Sequence, residues 1–258
     1  MLIDTHCHLD AAEFDADRDA VMQQALANGV KRIVVPAVEY ANFNAVMETS
    51  LRYPQCLPAL GMHPMYTGNH RPAHLQALRE AIERYKPVAV GEIGLDLFVP
   101  DLDPAMQEFY FAEQLKVARD FDLPVVLHVR KANDQVLKQL RRIQVKGGIA
   151  HAFNGSPHQA NEFLKLNFKL GFGGAMTYTR ALNLRRLVVE LPLDAIVLET
   201  DAPDIPPSFA YKQRNSPEYL PKIALEMANL RQMEYRDFAA ATSQNACEVL
   251  GLSRSILT

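Results

Sequence analysis

A chain of 258 residues that is 48% hydrophobic and 22% charged has enough apolar material for a sizeable core, which excludes intrinsic disorder. Lys and Arg total 27 against 30 Asp and Glu, a formal charge of −3, so a protein that grips duplex nucleic acid across many phosphates is excluded and only a local site for it remains. No apolar run approaches the ~20 residues of a membrane span, and no basic stretch followed by an apolar one opens the chain. The three cysteines, Cys7, Cys56 and Cys247, lie outside any CxxC pair and read as reduced thiols filling core space, so the expected setting is cytoplasmic.

In chain order, the apolar run Leu2-Ile3 is followed by an amphipathic stretch, Arg18 to Asn28, that Gly29 stops. Ile33 to Val35 and Leu57 to Leu60 come next, then a helical pattern over Leu75 to Tyr85 and the run Val88 to Val90. Pro104 to Phe121 opens with Asp103 as N-cap and proline at the first helical position. The runs Val125 to Leu127, Gly148 to Ala150, Lys169 to Phe172 and Ile196 to Leu198 follow. Helical patterns accompany them at Asn161 to Leu166, Leu184 to Val189, Tyr219 to Leu230 and Asp237 to Leu250. Short continuous apolar runs suit strands buried on both faces, as parallel strands are. Strands alternating with helices at this length predict an α/β fold. The expected form is a (β/α)₈ TIM barrel in a single domain, 1–258, with its active site at the C-terminal ends of the strands. No GxGxxG follows a strand, so no dinucleotide cofactor is expected.

The polar residues fall where such a site is built. The first strand runs into Asp4-Thr5-His6-Cys7-His8, and residues two apart on an extended chain point the same way. The fourth leads into Gly91-Glu92-Ile93-Gly94-Leu95-Asp96, the fifth ends in His128, the sixth in His151, and the eighth in Glu199-Thr200-Asp201-Ala202-Pro203. Taken singly, each is an ordinary polar strand end. Taken together, they are four imidazoles and two carboxylates without a thiolate, the donor set of a metal site. That set exceeds what one tetrahedral ion requires. Two divalent ions about 3.5–4 Å apart, bridged by a carboxylate and a hydroxide, would use it all. His63, in Gly61-Met62-His63-Pro64, reads as a substrate-facing residue rather than a ligand, and Arg130 and Lys131 are placed to meet a phosphate. His70, His74 and His158 fall in loops or first helical turns and read as surface residues.

These motifs closely resemble the TatD-like metal-dependent deoxyribonucleases, within the amidohydrolase barrel superfamily, and the resemblance runs the length of the chain to Asn245 in the last helix. It implies His6, His8 and Asp201 as ligands of one metal, His128 and His151 of a second, and Glu92 bridging both. It further implies Glu92, Asp201 and His63 as catalytic, with His63 and Arg130 binding substrate. The cofactors implied are two divalent ions drawn from zinc, manganese, magnesium or nickel. The activity implied is 3′-end-directed exonucleolytic cleavage of single-stranded DNA, with no membrane and no obligatory protein partner. One departure stands out: many members follow Gly-Leu-Asp with paired tyrosines, whereas Leu97-Phe98 follows Asp96 here. The alternative is a metal-dependent ester or amide hydrolase, such as an aminoacyl-tRNA deacylase.

Overall fold

The computed structural model describes residues 1–253 and 255; positions 254 and 256–258 of the expected 1–258 domain lie outside the described residues. Every apolar run forms a strand: β1 (Leu2–Asp4), β2 (Val30–Pro36), β3 (Cys56–Leu60), β4 (Ala89–Asp96), β5 (Val125–Arg130), β6 (Gly148–Ala150), β7 (Phe168–Phe172) and β8 (Ile196–Leu198). All pair in parallel, in the order β1-β2-β3-β4-β5-β6-β7-β8. The last strand then meets the first. Thr5 donates to the Leu198 carbonyl from its backbone N at 2.9 Å and its Oγ1 at 3.0 Å, and Asp201 N donates to the His6 carbonyl at 2.8 Å. The nearly closed barrel expected from the sequence is therefore present.

The helices are α1 (Arg18–Ala27), α2 (Phe43–Arg52), α3 (Pro72–Tyr85), α4 (Pro104–Asp120), α5 (Asn133–Arg142), α6 (Pro157–Lys165), α7 (Leu182–Glu190), α8 (Leu220–Leu230) and α9 (Tyr235–Leu250). Asp103 caps α4 as expected, its Oδ1 accepting from Ala105 N at 2.8 Å. Two helices went unanticipated, α2 and α5. In α5 the buried apolar residues are Val136, Leu137 and Leu140, with charged residues on the opposite face, an amphipathic pattern that was present in the sequence.

Two layers of apolar packing position the site. The barrel interior is filled by Ile3, Val34, Ala59, Ala89, Val126, Ile149 and Val197, and α9 plugs its lower end with Ala246, Cys247, Val249 and Leu250. Asn245 completes the plug, donating to the Leu193 and Ile196 carbonyls, both at 2.8 Å. All three cysteines are buried. The second layer packs helices against the outer strand faces. With the lower end closed by apolar residues, only the upper mouth is left for polar chemistry.

β4 runs well past its apolar run to Asp96, and all of it is buried. Its pairing with β5 shifts between Val90 and Ile93, and glycines let the backbones approach. Gly94 has φ +149°, and a Cβ there would lie 1.9 Å from the His128 carbonyl oxygen. Gly94→Ala should therefore destabilise the fold by at least about 2 kcal/mol, read from denaturant unfolding. An unchanged unfolding midpoint would contradict this packing account.

Candidate metal centre

Side chains from the ends of β1, β4, β5, β6 and β8 converge on Glu92, which is 1% exposed at the floor of a cavity of about 1320 Å³. Its two oxygens face different partners. Oε2 lies 3.1 Å from His6 Nε2 and 3.6 Å from His8 Nε2. Oε1 lies 3.0 Å from His128 Nδ1, 3.0 Å from His151 Nε2 and 3.2 Å from His63 Nε2. On the first side, Asp201 Oδ1 stands 3.5 Å from His6 Nε2 and 3.8 Å from His8 Nε2, and the two imidazole nitrogens are 3.2 Å apart.

These separations suit cations. Ligands about 2.0–2.1 Å from a tetrahedral ion lie about 3.3 Å from each other. A carboxylate oxygen has two lone pairs, so Oε1 cannot accept cleanly from three imidazoles at once. Three groups of side chains bring their ligand atoms close enough to share a cation: His6, Glu92 and His151; His6, His8 and Asp201; and His63, Glu92 and His128. Every residue expected as a ligand from the sequence is thus brought to one point.

Hydrogen bonds at the far ring nitrogens show which imidazoles are ready to ligate. His128 Nε2 lies 3.0 Å from Asp96 Oδ2 and its Nδ1 3.0 Å from Glu92 Oε1; burial would lower its pKa, but these two carboxylates raise it, and a proton kept on Nε2 by Asp96 would leave Nδ1 free to ligate. His151 Nδ1 faces Glu199 Oε1 at 3.7 Å without a hydrogen bond, and that oxygen accepts from Ala152 N at 2.5 Å. His63 is arranged in the opposite sense. Its Nδ1 accepts from Met65 N at 3.1 Å, so in the neutral ring the proton sits on Nε2, the nitrogen that faces Glu92. His63 lies within ligand distance of Glu92 and His128, yet its tautomer presents a donor where a ligand needs a lone pair.

Charge follows the same pattern. Burial would raise Glu92, but the imidazoles of His63, His151 and His6 hold it well below the usual carboxylate range, so it is an anion. Burial, reinforced by His151, keeps His6 well below its ordinary value and therefore neutral. Burial lowers His63 to about 4, making it neutral at pH 7. It raises Asp201 to about 6, against the pull of His151 and His8.

The surrounding fold holds these groups still. Asp4 accepts from His6 N at 3.2 Å, Thr200 N at 3.0 Å and Thr200 Oγ1 at 2.6 Å, tying the His6 and Asp201 segments across the barrel seam. From α4, Gln114 clasps Met62 through N at 2.7 Å and O at 3.0 Å, and Gln107 clasps Asp96 at 2.8 and 2.9 Å. Gly171 makes room for Glu199, whose Oε2 would lie 2.1 Å from a Cβ at that position.

Arg130 and Lys131 line the cavity wall, Arg130 with its Nη1 3.9 Å from Asp96 Oδ2. The sequence reading of His70 as a surface residue is corrected: it is 2% exposed, with Nε2 3.1 Å from the His63 carbonyl, since the loop after β3 folds inward over it. His158 is exposed and His74 half-buried. Sequence reasoning assigned no role to Asp96 or Glu199, although both stood inside quoted motifs. The signal available was the need of a ligating imidazole for a carboxylate at its second nitrogen.

The chain is similar to known proteins over nearly its whole length. The family profile described as "TatD related DNase" matches residues 3–251. The chain is 41% identical over 246 residues to the "uncharacterized metal-dependent hydrolase YjjV" of Escherichia coli K12, covering 94% of this chain and 95% of that one. It is 31% identical over 259 residues to the "3'-5' ssDNA/RNA exonuclease TatD" of Klebsiella pneumoniae, covering 97% and 98%. The crystal structure of the Escherichia coli YjjV protein superposes with a TM-score of 0.94 at 40% identity, over 98% of each chain.

Two outcomes follow from the geometry. Asp96→Asn should weaken divalent-ion binding by about 10–100-fold while the folded far-ultraviolet spectrum persists; unchanged affinity by calorimetric titration would remove Asp96 from the centre. Because a ligand carboxyl must shed its proton to bind, affinity should fall as pH drops through the Asp201 value of about 6. The fall should approach about tenfold per pH unit for one displaced proton. Affinity independent of pH between 5 and 7 would exclude that linkage.

Proposed function

The chain belongs to the TatD related DNase family of metal-dependent hydrolases, and from that premise we propose that it is a phosphodiesterase releasing nucleotides from the 3′ end of single-stranded DNA. The observation that carries the reading is the division of the imidazoles between the two oxygens of Glu92, His6 and His8 on one side and His128 and His151 on the other. In this reading His6, His8 and Asp201 hold one divalent ion, His128 and His151 a second, and Glu92 both. When bound, the ions would polarise a phosphoryl oxygen and acidify a shared water to a pKa of about 7.

The chain's own groups then have distinct tasks. Asp201, whose Oδ1 stands 3.5 Å from His6 Nε2 and 3.8 Å from His8 Nε2, takes up the proton of the attacking water. His63 offers its Nε2–H as a hydrogen bond to the departing oxygen from a neutral ring, an orientation its bond from Met65 N supports. Arg130 meets a non-bridging oxygen, since a guanidinium edge offers paired donors to phosphate. Arg130 and Lys131 are the only Lys or Arg side chains among the described residues lining the cavity, where Asp10, Glu13, Asp134 and Asp204 also stand. A mouth with so few basic groups suits a strand end better than a long duplex. The exonuclease named above is similar over nearly its whole length, which supports the same substrate class here.

Chelation should abolish hydrolysis and added divalent ion restore it. His63→Asn should keep metal content and lose about 10²–10⁴ in rate; loss of metal in that variant would make His63 a ligand. Linear single-stranded DNA should be consumed stepwise while a closed circle of the same sequence resists. The salt dependence should be shallow, about two or three contacts at roughly 0.7 each. Equal cleavage of the circle would mean internal cutting. Turnover of carboxylic esters or amides with no nucleotide release would replace the phosphodiesterase reading.

A further inference from the structure

The loop after β4 carries an arrangement that the chemistry above leaves unused. Phe98 is 55% exposed on the cavity wall, and the Arg130 guanidinium lies over its ring, 4.0 Å from the centroid. An exposed aromatic ring paired with a guanidinium on a cavity wall offers a flat surface on which a planar group can stack. One carboxylate organises the whole group. Asp96 Oδ1 accepts from Phe98 N at 2.9 Å and Val99 N at 3.0 Å, fixing the loop. Its Oδ2 holds His128 Nε2 at 3.0 Å and stands 3.9 Å from Arg130 Nη1. Leu97 N also donates to the Arg130 carbonyl at 2.9 Å, so the β4 and β5 loops travel together.

We propose that Phe98 and Arg130 form a stacking platform that receives a nucleobase of the substrate strand beside the scissile phosphate. This rests on the phosphodiesterase reading and specifies how that site grips its strand. A guanidinium stacked by its face keeps its N–H edge free, so Arg130 meets phosphate while the stack takes the base. Stacking on an aromatic face accepts any base, which suits an enzyme that proceeds stepwise along a strand. Phe98 carries no hydroxyl, so the contact is made by the ring face alone. The platform neighbours His128 through Asp96, which sets the base next to the reacting centre.

The test is calorimetric binding of two hydrolysis-resistant probes to the metal-loaded chain: a phosphorothioate-linked thymidine pentanucleotide and the same backbone with abasic sugars. Wild type should bind the base-bearing probe roughly tenfold or more tightly. Phe98→Leu should bring that ratio near one, Phe98→Tyr should keep it, and Phe109→Leu, an exposed phenylalanine of α4 outside the cavity, should leave it unchanged. A wild-type ratio near one, or a Phe98→Leu ratio equal to wild type, overturns the platform. Hydrolysis of methyl p-nitrophenyl phosphate, which has no base, reports the phosphodiesterase reading separately. If that ester is untouched the hydrolytic reading fails, and the binding ratio still decides the role of Phe98.

Discussion

A fully buried anion at the floor of the barrel is the constraint on which the rest of the centre depends. Glu92 is ionised while nearly inaccessible to water, a condition that costs several kcal/mol unless positive charge or hydrogen bonds compensate it. Imidazoles offer only partial compensation: three of them crowd one oxygen, and His63 among these is neutral. Divalent ions on either side of the carboxylate would complete it. The burial that makes Glu92 expensive also keeps His6 and His63 neutral, and so fit to ligate or to donate rather than to repel a cation.

Rigid parts of the fold keep this arrangement from collapsing. α9 and the small interior residues close the bottom of the barrel, leaving one polar end. Gln107 and Gln114 sit two turns apart on α4 and substitute for strand partners on the loops after β4 and β3. Asp4 clasps β1 to the β8 loop, and Asp96 orients an imidazole while tying down the loop that carries Phe98. A ligand set drawn from five strands is only as precise as these clasps, because each strand end would otherwise move with its own loop.

Much of this was legible in the residues. Parallel strands announce themselves as short apolar runs, and a polar residue at the end of such a run has few reasons to be there other than the site. The closed barrel and the convergence of His6, His8, Glu92, His128, His151 and Asp201 could therefore be read from spacing and residue type together with a family resemblance. Less legible were features that depend on a partner far along the chain. His70 is drawn inward by a loop conformation that its neighbours do not encode. The tautomer of His63 hangs on one backbone N–H of Met65, and the pairing of Phe98 with Arg130 spans two strands. Such contacts follow from the closed barrel and not from local pattern.

We propose that the buried carboxylate of Glu92 anchors two cations. This is tested most directly by titrating a divalent ion into metal-free protein and into Glu92→Gln, with bound metal counted by elemental analysis. Two equivalents per chain in the wild type, and loss of both in the variant with its fold intact, is the predicted result. One equivalent in the wild type, or full occupancy in Glu92→Gln, would contradict it.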